Sequence, residues 1–413
     1  MAKNYNYTLL KPFLNKHFFT DATNIFPVIF KIAVGNYLYD VNNKKYIDLF
    51  SGMGVSFLGH NNKTFIPLLI KQLKTISISN YFPTTIKLEF LKDIQYILPK
   101  NMLCLTLFST GAEAVEYSFR LARVISKKTN FISFSKSLHG KTHAAANASW
   151  NHPSYGNFHL GFYRFKYPCC DHCNLSNKTC NLYCFKKFKN KFHKLPLKNI
   201  GAIIIEQIQG YSGGIIPPKI FFKKVISLCK NNKILLIYDE ILTGLGRTGK
   251  LFSYQHFSNT TPDILIIGKA LGNGFPISAV ITKQSYLKKA GFALPGSTYS
   301  GNPLACASAS AVLKYIKKNN PVKKAVILEK VIKETLKPLL NNNHISFIRG
   351  FGAFFVIEFK NTNFLKMLYP KFLQAGIAIT SVENCLRILP PITIKTEDLK
   401  KALEKIVYII NNE

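Results

Sequence analysis

Two apolar runs each end on one charged side chain: Ile234-Leu235-Leu236-Ile237-Tyr238-Asp239 and Ile264-Leu265-Ile266-Ile267-Gly268-Lys269. Short apolar runs with β-branched content read as strands buried on both faces, within a parallel sheet. A charge at the C-terminal end of such a strand lies where open α/β sheets bind ligands. One run delivers a carboxylate there and the other an amine. A lysine amine can condense with a carbonyl, and an acid can keep a ring nitrogen protonated. The plainer alternative makes Asp239 a helix cap and Lys269 one of many surface lysines, so the pair needs support from the rest of the chain.

Support comes from two further places. The run 103–108 leads into Ser109-Thr110-Gly111-Ala112-Glu113. Small residues at a strand-to-helix turn let N–H groups and a hydroxyl face an anion, with the helix dipole behind them. An ordinary Ser/Thr N-cap explains the hydroxyl but not Gly111 and Ala112 together. The run 202–205 ends at Glu206, a second carboxylate at a strand end. An amine, a ring-nitrogen acid and a phosphate cradle are what pyridoxal 5'-phosphate (PLP) requires.

At 413 residues the chain exceeds the roughly 250–300 at which one core stops growing, so two domains are expected. A hydrophobic content of 47% and a mean hydropathy of +0.07 indicate a large buried core and exclude disorder. No apolar run reaches the roughly 18 residues of a membrane span. Residues 1–7 lack the apolar stretch of a signal peptide. A cytoplasmic protein without a membrane partner is therefore expected.

The net charge of +35 raises the question of nucleic-acid binding, but arginine occurs only at 120, 123, 164, 247, 349 and 387, and the lysines are scattered. The densest basic stretch, 185–191, fits the exposed side of a helix with Phe185 and Phe188 turned inward. Nucleic acid is not expected as a partner. Of nine cysteines, five fall between 169 and 184. Cys170, Cys173, Cys180 and Cys184 follow C-x2-C-x6-C-x3-C, which suits zinc, although the six-residue gap is short for a zinc ribbon and thiol packing is the alternative. Cys104, Cys229, Cys306 and Cys385 read as buried free thiols, and a disulfide framework is not expected.

The elements that must position these groups follow from periodicity. Residues 35–48 read as a hairpin with a turn at Asn42-Asn43. Helices are expected over 64–75, 85–97, 219–232, 304–318, 321–341, 363–374 and 396–411, and strands over 103–108, 130–134, 202–205, 234–239, 264–267 and 353–359. Alternation of strand and helix from about 103 to 283 implies a doubly wound sheet.

Taken in order and spacing, these motifs resemble the class III (ω-amino acid) PLP-dependent aminotransferases, such as the 4-aminobutyrate, ornithine and acetylornithine enzymes. The resemblance runs from the Gly35-Asn36-Tyr37-Leu38-Tyr39-Asp40 hairpin to Leu386-Arg387-Ile388-Leu389-Pro390-Pro391. It implies an α/β chain of PLP fold type I, with a large, mostly parallel sheet domain and a small α+β domain. Residues 1–60 and 301–413 would build the small domain and 61–300 the PLP-binding one. A homodimer or tetramer with shared sites is implied. By resemblance, Lys269 is the Schiff-base lysine and later the proton carrier, and Asp239 faces the pyridine nitrogen. Thr110, Gly111 and Ala112 cradle the phosphate, Thr298 reaches it from the neighbouring subunit, and Ile241 packs on the ring. Arg387 binds the substrate's α-carboxylate, and Glu206 neutralises it when an ω-amine occupies the site.

Three positions depart from the family pattern. Leu138 replaces an aromatic ring-stacking residue, Leu242 replaces a glutamine, and Lys141 replaces an arginine. Lysine keeps the charge but loses the fork that binds a substrate carboxylate. Slower or narrower activity is expected. The expected reaction is ping-pong transfer of an amino group from an ω-amino or diamino acid to a 2-oxo acid, 2-oxoglutarate above all. A racemase or epimerase on the same scaffold would not need the oxo acid. A non-catalytic basic binding protein would show steeply salt-dependent binding.

Overall fold

A computed structural model describes residues 12, 16, 27–77, 82–149, 161–171, 173 and 180–413. The signal-peptide reading of residues 1–7, the Cys104 side chain and the gap 174–179 lie outside these. At the centre is a seven-stranded sheet in the order Met102–Phe108, Ser278–Lys283, Ile264–Ile267, Leu235–Asp239, Ile200–Ile205, Asn130–Phe134, Phe162–Phe165. Ser278–Lys283 runs antiparallel to both neighbours, and the other pairings are parallel. The strands read as two-sided from sequence, such as Ile200–Ile205 and Leu235–Asp239, are buried along their length. Phe162–Phe165 was not expected: it is a half-buried edge strand interrupted by Arg164. Parallel register brings the C-terminal ends of five strands to one edge, at Phe108, Phe134, Ile205, Asp239 and Ile267.

The helix Gly111–Ser126 starts at this edge. Thr110 and Glu113 form a reciprocal capping box, and the helix buries Val115, Phe119 and Ala122 against the sheet. Two smaller sheets flank the large one. The hairpin Tyr37–Asp40 and Lys45–Asp48 pairs with Ile377–Ala378, joining the two ends of the chain in one sheet. In its turn, Asp40 Oδ1 accepts the N–H groups of Asn42 and Lys44. The other sheet runs Ile345–Phe351, Phe354–Phe359, Cys385–Ile388, Thr380–Val382. Sequence reading assigned no strand to Ile345–Phe351, whose residues are mostly only half-buried. The helix Pro303–Asn319 leans on the large sheet's side: Ser308 Oγ donates to Gly272 O at 2.6 Å, and Ser310 Oγ bonds Asp93.

One arginine fastens these parts together. Arg247, fully buried in the glycine-rich loop after Asp239, donates to Pro390 O at 2.5 Å and Gly54 O at 3.3 Å. Its guanidinium lies over the Phe57 ring. Burial pulls its pKa down to about 10, which still leaves it charged at neutral pH. Its backbone carbonyl accepts the Ala353 N–H at 2.8 Å, in the turn between two strands of the second small sheet. There Gly352 has φ +58°, and a Cβ would lie 2.5 Å from Arg247 O. Among the described residues no helix is long and apolar enough to cross a membrane.

Gly352→Ala is expected to cost roughly 2–3 kcal/mol, because both backbone strain and a clash with fixed backbone must be accommodated. Urea denaturation of the wild type and the variant checks this. An unchanged midpoint would show that the contact is not needed.

Candidate active site

The shared strand edge opens into a cavity of about 400 Å³ lined by Lys269, Asp239, Glu206 and Arg387. Asp239 ends a buried strand and is itself buried. Its Oδ1 accepts the Ile241 N–H at 3.1 Å, and its Oδ2 lies 2.7 Å from His139 Nδ1. The other ring nitrogen, His139 Nε2, is buried without a partner among the described residues. Lys269 follows Gly268 at the next strand's end and opens a 3-10 turn with φ +44°. Positive φ is strained for a side chain of this kind, and such strain gathers at functional sites. Burial draws the Lys269 amine below its usual pKa, against the opposing pull of Asp239 and Glu206.

Two of the three residues expected at the phosphate, Gly111 and Ala112, border this space. Ser109, Gly111 and Ala112 line the cavity. Thr110 caps the helix instead: its hydroxyl bonds Glu113 Oε2 and accepts the Glu113 N–H. Gly111 is held close under Ile241, where a Cβ would meet Ile241 Cδ1 at 2.9 Å. Ile241 thereby forms one apolar wall of the cavity, as expected. Leu242 forms another, filling space left by two glycines; a Cβ on Gly210 or Gly54 would meet it at 2.1 or 2.7 Å.

Arg387 sits on Cys385–Ile388 with its side chain buried. Its Nε and Nη2 find no partner among the described residues, and the guanidinium stacks 5.9 Å from the Tyr211 ring centre. Burial lowers its pKa to about 10. Glu206 faces the same cavity but turns to the backbone, accepting from Leu138 N at 2.8 Å and Gly210 N at 3.1 Å. Among the described residues no ion pair joins it to Arg387. Burial raises the Glu206 pKa to about 7, helped by nearby Asp239 and opposed by His139 and the two N–H groups.

Lys141, Thr298 and the four clustered cysteines fall elsewhere. Lys141 is exposed and does not line the cavity. Gly140 is wedged between Ala112 and Ala145, and Glu116 holds Thr142 and the next N–H groups, so the chain turns outward at Lys141. Thr298 is also exposed and outside the cavity. Cys170, Cys173, Cys180 and Cys184 line a separate cavity of about 1000 Å³. Among the described residues no group of three or more His, Cys, Asp or Glu side chains is placed to hold a metal ion. Sequence reasoning overlooked His139, Tyr211, Met53 and Phe275, all in the lining. For His139 a signal existed: a histidine just past a buried strand end. The others reach the cavity from loops that carry no motif.

Comparison with known proteins agrees with this geometry. Residues 18–410 match the family model described as aminotransferase class-III. A [LysW]-aminoadipate semialdehyde/glutamate semialdehyde transaminase of Sulfurisphaera tokodaii is 34% identical, over 89% of this chain and 91% of that protein. An acetylornithine aminotransferase of Clostridium acetobutylicum is 33% identical over 94% and 98%. Among solved structures, an ω-transaminase of Pseudomonas jessenii in complex with PMP superposes with a TM-score of 0.89 at 22% identity, covering 96% of this chain and 95% of that one. The chain belongs to the class-III aminotransferases, PLP-dependent enzymes of fold type I.

Proposed function

We propose that this enzyme moves an amino group between a diamino or ω-amino acid and a 2-oxo acid, with 2-oxoglutarate as acceptor, in two half-reactions at one site. One observation carries the reading: a buried, charged guanidinium, Arg387, whose Nε and Nη2 have no partner among the described residues, faces the same cavity as the Lys269 amine. A buried cation with open N–H groups is costly until an anion satisfies it, and a planar fork suits a carboxylate. The lengths of the two relatives' substrates, a semialdehyde acid and an acylated diamino acid by their names, fit a reactive end held away from a carboxylate.

The cavity fits PLP. Ser109, Gly111 and Ala112 at a helix start would hold the phosphate, Ile241 would pack on the ring, and Asp239 would face its nitrogen. PLP supplies a carbonyl for the amine and an electron sink for the bond broken at the substrate carbon. His139 holds the Asp239 carboxylate in place from behind, so Asp239 keeps one oxygen directed by the ring and one by the backbone. Lys269 Nζ, with its pKa lowered by burial, is suited to take a proton from the substrate carbon that bears the reacting nitrogen and to hand it on to the cofactor. The apolar side chains Met53, Leu138, Leu242 and Phe275 keep water from the rest of the cavity. Glu206 neutralises Arg387 only by leaving its backbone partners, so the two-sided substrate cycle requires Glu206 to swing.

A homodimer completes this reading. Phe292, Leu294 and Tyr299 are 79%, 74% and 76% exposed on the segment that carries Thr298. Apolar exposure of this kind marks a contact surface, and it would bring Thr298 to a neighbouring site. Buried free thiols at Cys229 and Cys306 suit a reducing, cytoplasmic compartment.

Glutamate formation from 2-oxoglutarate, across a panel of 4-aminobutyrate, ornithine, acetylornithine and lysine, tests the reaction. No glutamate with any donor would overturn it. Arg387→Lys is expected to raise the KM for 2-oxoglutarate roughly 100-fold, about 3 kcal/mol. Arg387→Met should instead leave the cofactor-free protein as stable or more so, because an unpaired buried charge is gone. Glu206 gives a pH signature. Its folded pKa lies above the ordinary carboxylate value, so between about pH 4.5 and 7 the folded state holds a proton the unfolded chain has lost. Stability of the cofactor-free protein should therefore fall as pH rises through that window, by on the order of 2–3 kcal/mol. Glu206→Gln should flatten the slope, and an equal slope in both proteins would exclude this role. Sedimentation should give a dimer, whereas a fully active monomer would contradict the shared site.

A further inference from the structure

Cys170, Cys173, Cys180 and Cys184 are free thiols around one cavity, which shares no lining residue with the substrate cavity. Cys170 and Cys173 are exposed and close a turn in which the Cys173 N–H donates to Cys170 O at 3.0 Å. A C-x-x-C turn holds two sulfurs at the spacing of an exchangeable dithiol. Lys166, Lys186, Lys187 and Lys191 line the same cavity, so its field draws in an anionic reagent. Burial, then the neighbouring thiolates, push the Cys170 thiol up to about 11. Cys170 therefore suits the second, resolving step rather than the first attack.

A second observation connects this turn to the substrate site. Asp171, between the two cysteines, pairs with Arg349 at 3.1 Å. Arg349 Nε donates to Gly213 O at 2.7 Å, and its Nη2 pairs with Glu358 at 2.5 Å. Gly213 lies two residues past Tyr211, the ring stacked on Arg387. Glu358 lies opposite Cys385, on the strand pair that carries Arg387. The loop and strand are packed closely, since a Cβ on Gly213 would meet Cys385 Sγ at 2.7 Å. Asp171, Arg349 and Gly213 thus form a continuous tie from the thiol turn to the wall around Arg387.

We propose that Cys170 and Cys173 are a thiol–disulfide exchange site for a small anionic disulfide, and that their redox state sets how firmly the Arg387 wall is held. The Cys173 thiolate attacks one sulfur of the reagent. The reagent's S–S bond breaks, and the departing thiolate takes up the proton that Cys173 lost. Cys170 then gives up its proton and attacks the Cys173 sulfur of the mixed disulfide, expelling the second thiolate, which takes that proton. The protein loses two protons and two electrons, and the reagent becomes two thiols. Drawing the two cysteines together shifts Asp171 from Arg349 and loosens the loop that carries Tyr211. The kinetic consequence rests on Arg387 binding the substrate carboxylate, whereas formation of the bridge does not.

The test treats holoenzyme with glutathione disulfide, or with the neutral hydroxyethyl disulfide, and follows intact mass, peptide map and kinetics. The expected product is lighter by about 2 Da, with the bridge between Cys170 and Cys173. It should form about fivefold faster with the anionic reagent. The KM for 2-oxoglutarate should rise roughly fivefold, with kcat within about twofold, and dithiothreitol should reverse both changes. Cys173→Ser should form no bridge and keep its KM. Asp171→Asn should show the raised KM while reduced and respond no further to oxidation. No loss of mass, a bridge elsewhere, a bridge with unchanged KM, or a stoichiometric metal ion shielding the thiols would each overturn the proposal. An enzyme inactive with 2-oxoglutarate that still forms the bridge would count against the substrate reading alone.

Discussion

The site depends on a carboxylate removed from water. Asp239 ends a strand whose neighbours are buried on both faces, so no solvent shell can offset its charge. Partners therefore come from the surrounding edge: the Ile241 N–H from its own turn, and His139 from the loop after Asn130–Phe134. Lys269 enters from the next strand, where burial weakens its charge and Asp239 restores part of it. His139, Asp239 and Lys269 lie 30 to 130 positions apart in sequence and meet only because parallel register sets their strand ends level. A one-residue slip in a strand would turn its side chains to the opposite face, taking the amine or the acid out of the cavity.

Three buried arginines show how hydrogen bonding separates structure from function. Arg247 and Arg387 are both buried, and burial lowers each pKa to about 10. Arg247 spends its guanidinium on two backbone carbonyls and a ring face, joining the two ends of the chain to the large sheet. Arg387 keeps Nε and Nη2 open toward a cavity. For Arg349, burial works against the charge, but Glu358 outweighs it and raises the pKa. Among the described residues Arg247 also leaves its Nε unpartnered, but of the three arginines Arg387 alone lines the substrate cavity.

The departures from the family pattern are built in by packing. Leu242 occupies space that Gly54 and Gly210 leave empty, and a larger residue at either glycine would collide with it. Leu138 contributes its backbone N–H to Glu206 and an aliphatic side chain to the lining. Both present a methyl-lined wall to the cavity. Lys141 lies outside the cavity, because Gly140 and the Glu116 contacts direct the chain away from it.

The sequence by itself determined the parallel core, the strand-end acid and amine, the small-residue turn and the helix positions. Each of these rests on local periodicity or on a side chain adjacent to its own strand. It also marked Glu206 and Arg387, although their partners were not legible. Only the tertiary structure decided that His139 backs Asp239, that Thr110 caps a helix instead of lining the cavity, and that Glu206 turns to Leu138 and Gly210. It likewise decided that the four thiols line one cavity apart from the substrate site, and that Asp171 reaches Arg349. The reason is physical. Which polar group satisfies a buried charge depends on distances between segments remote in sequence, and spacing within one segment does not encode them.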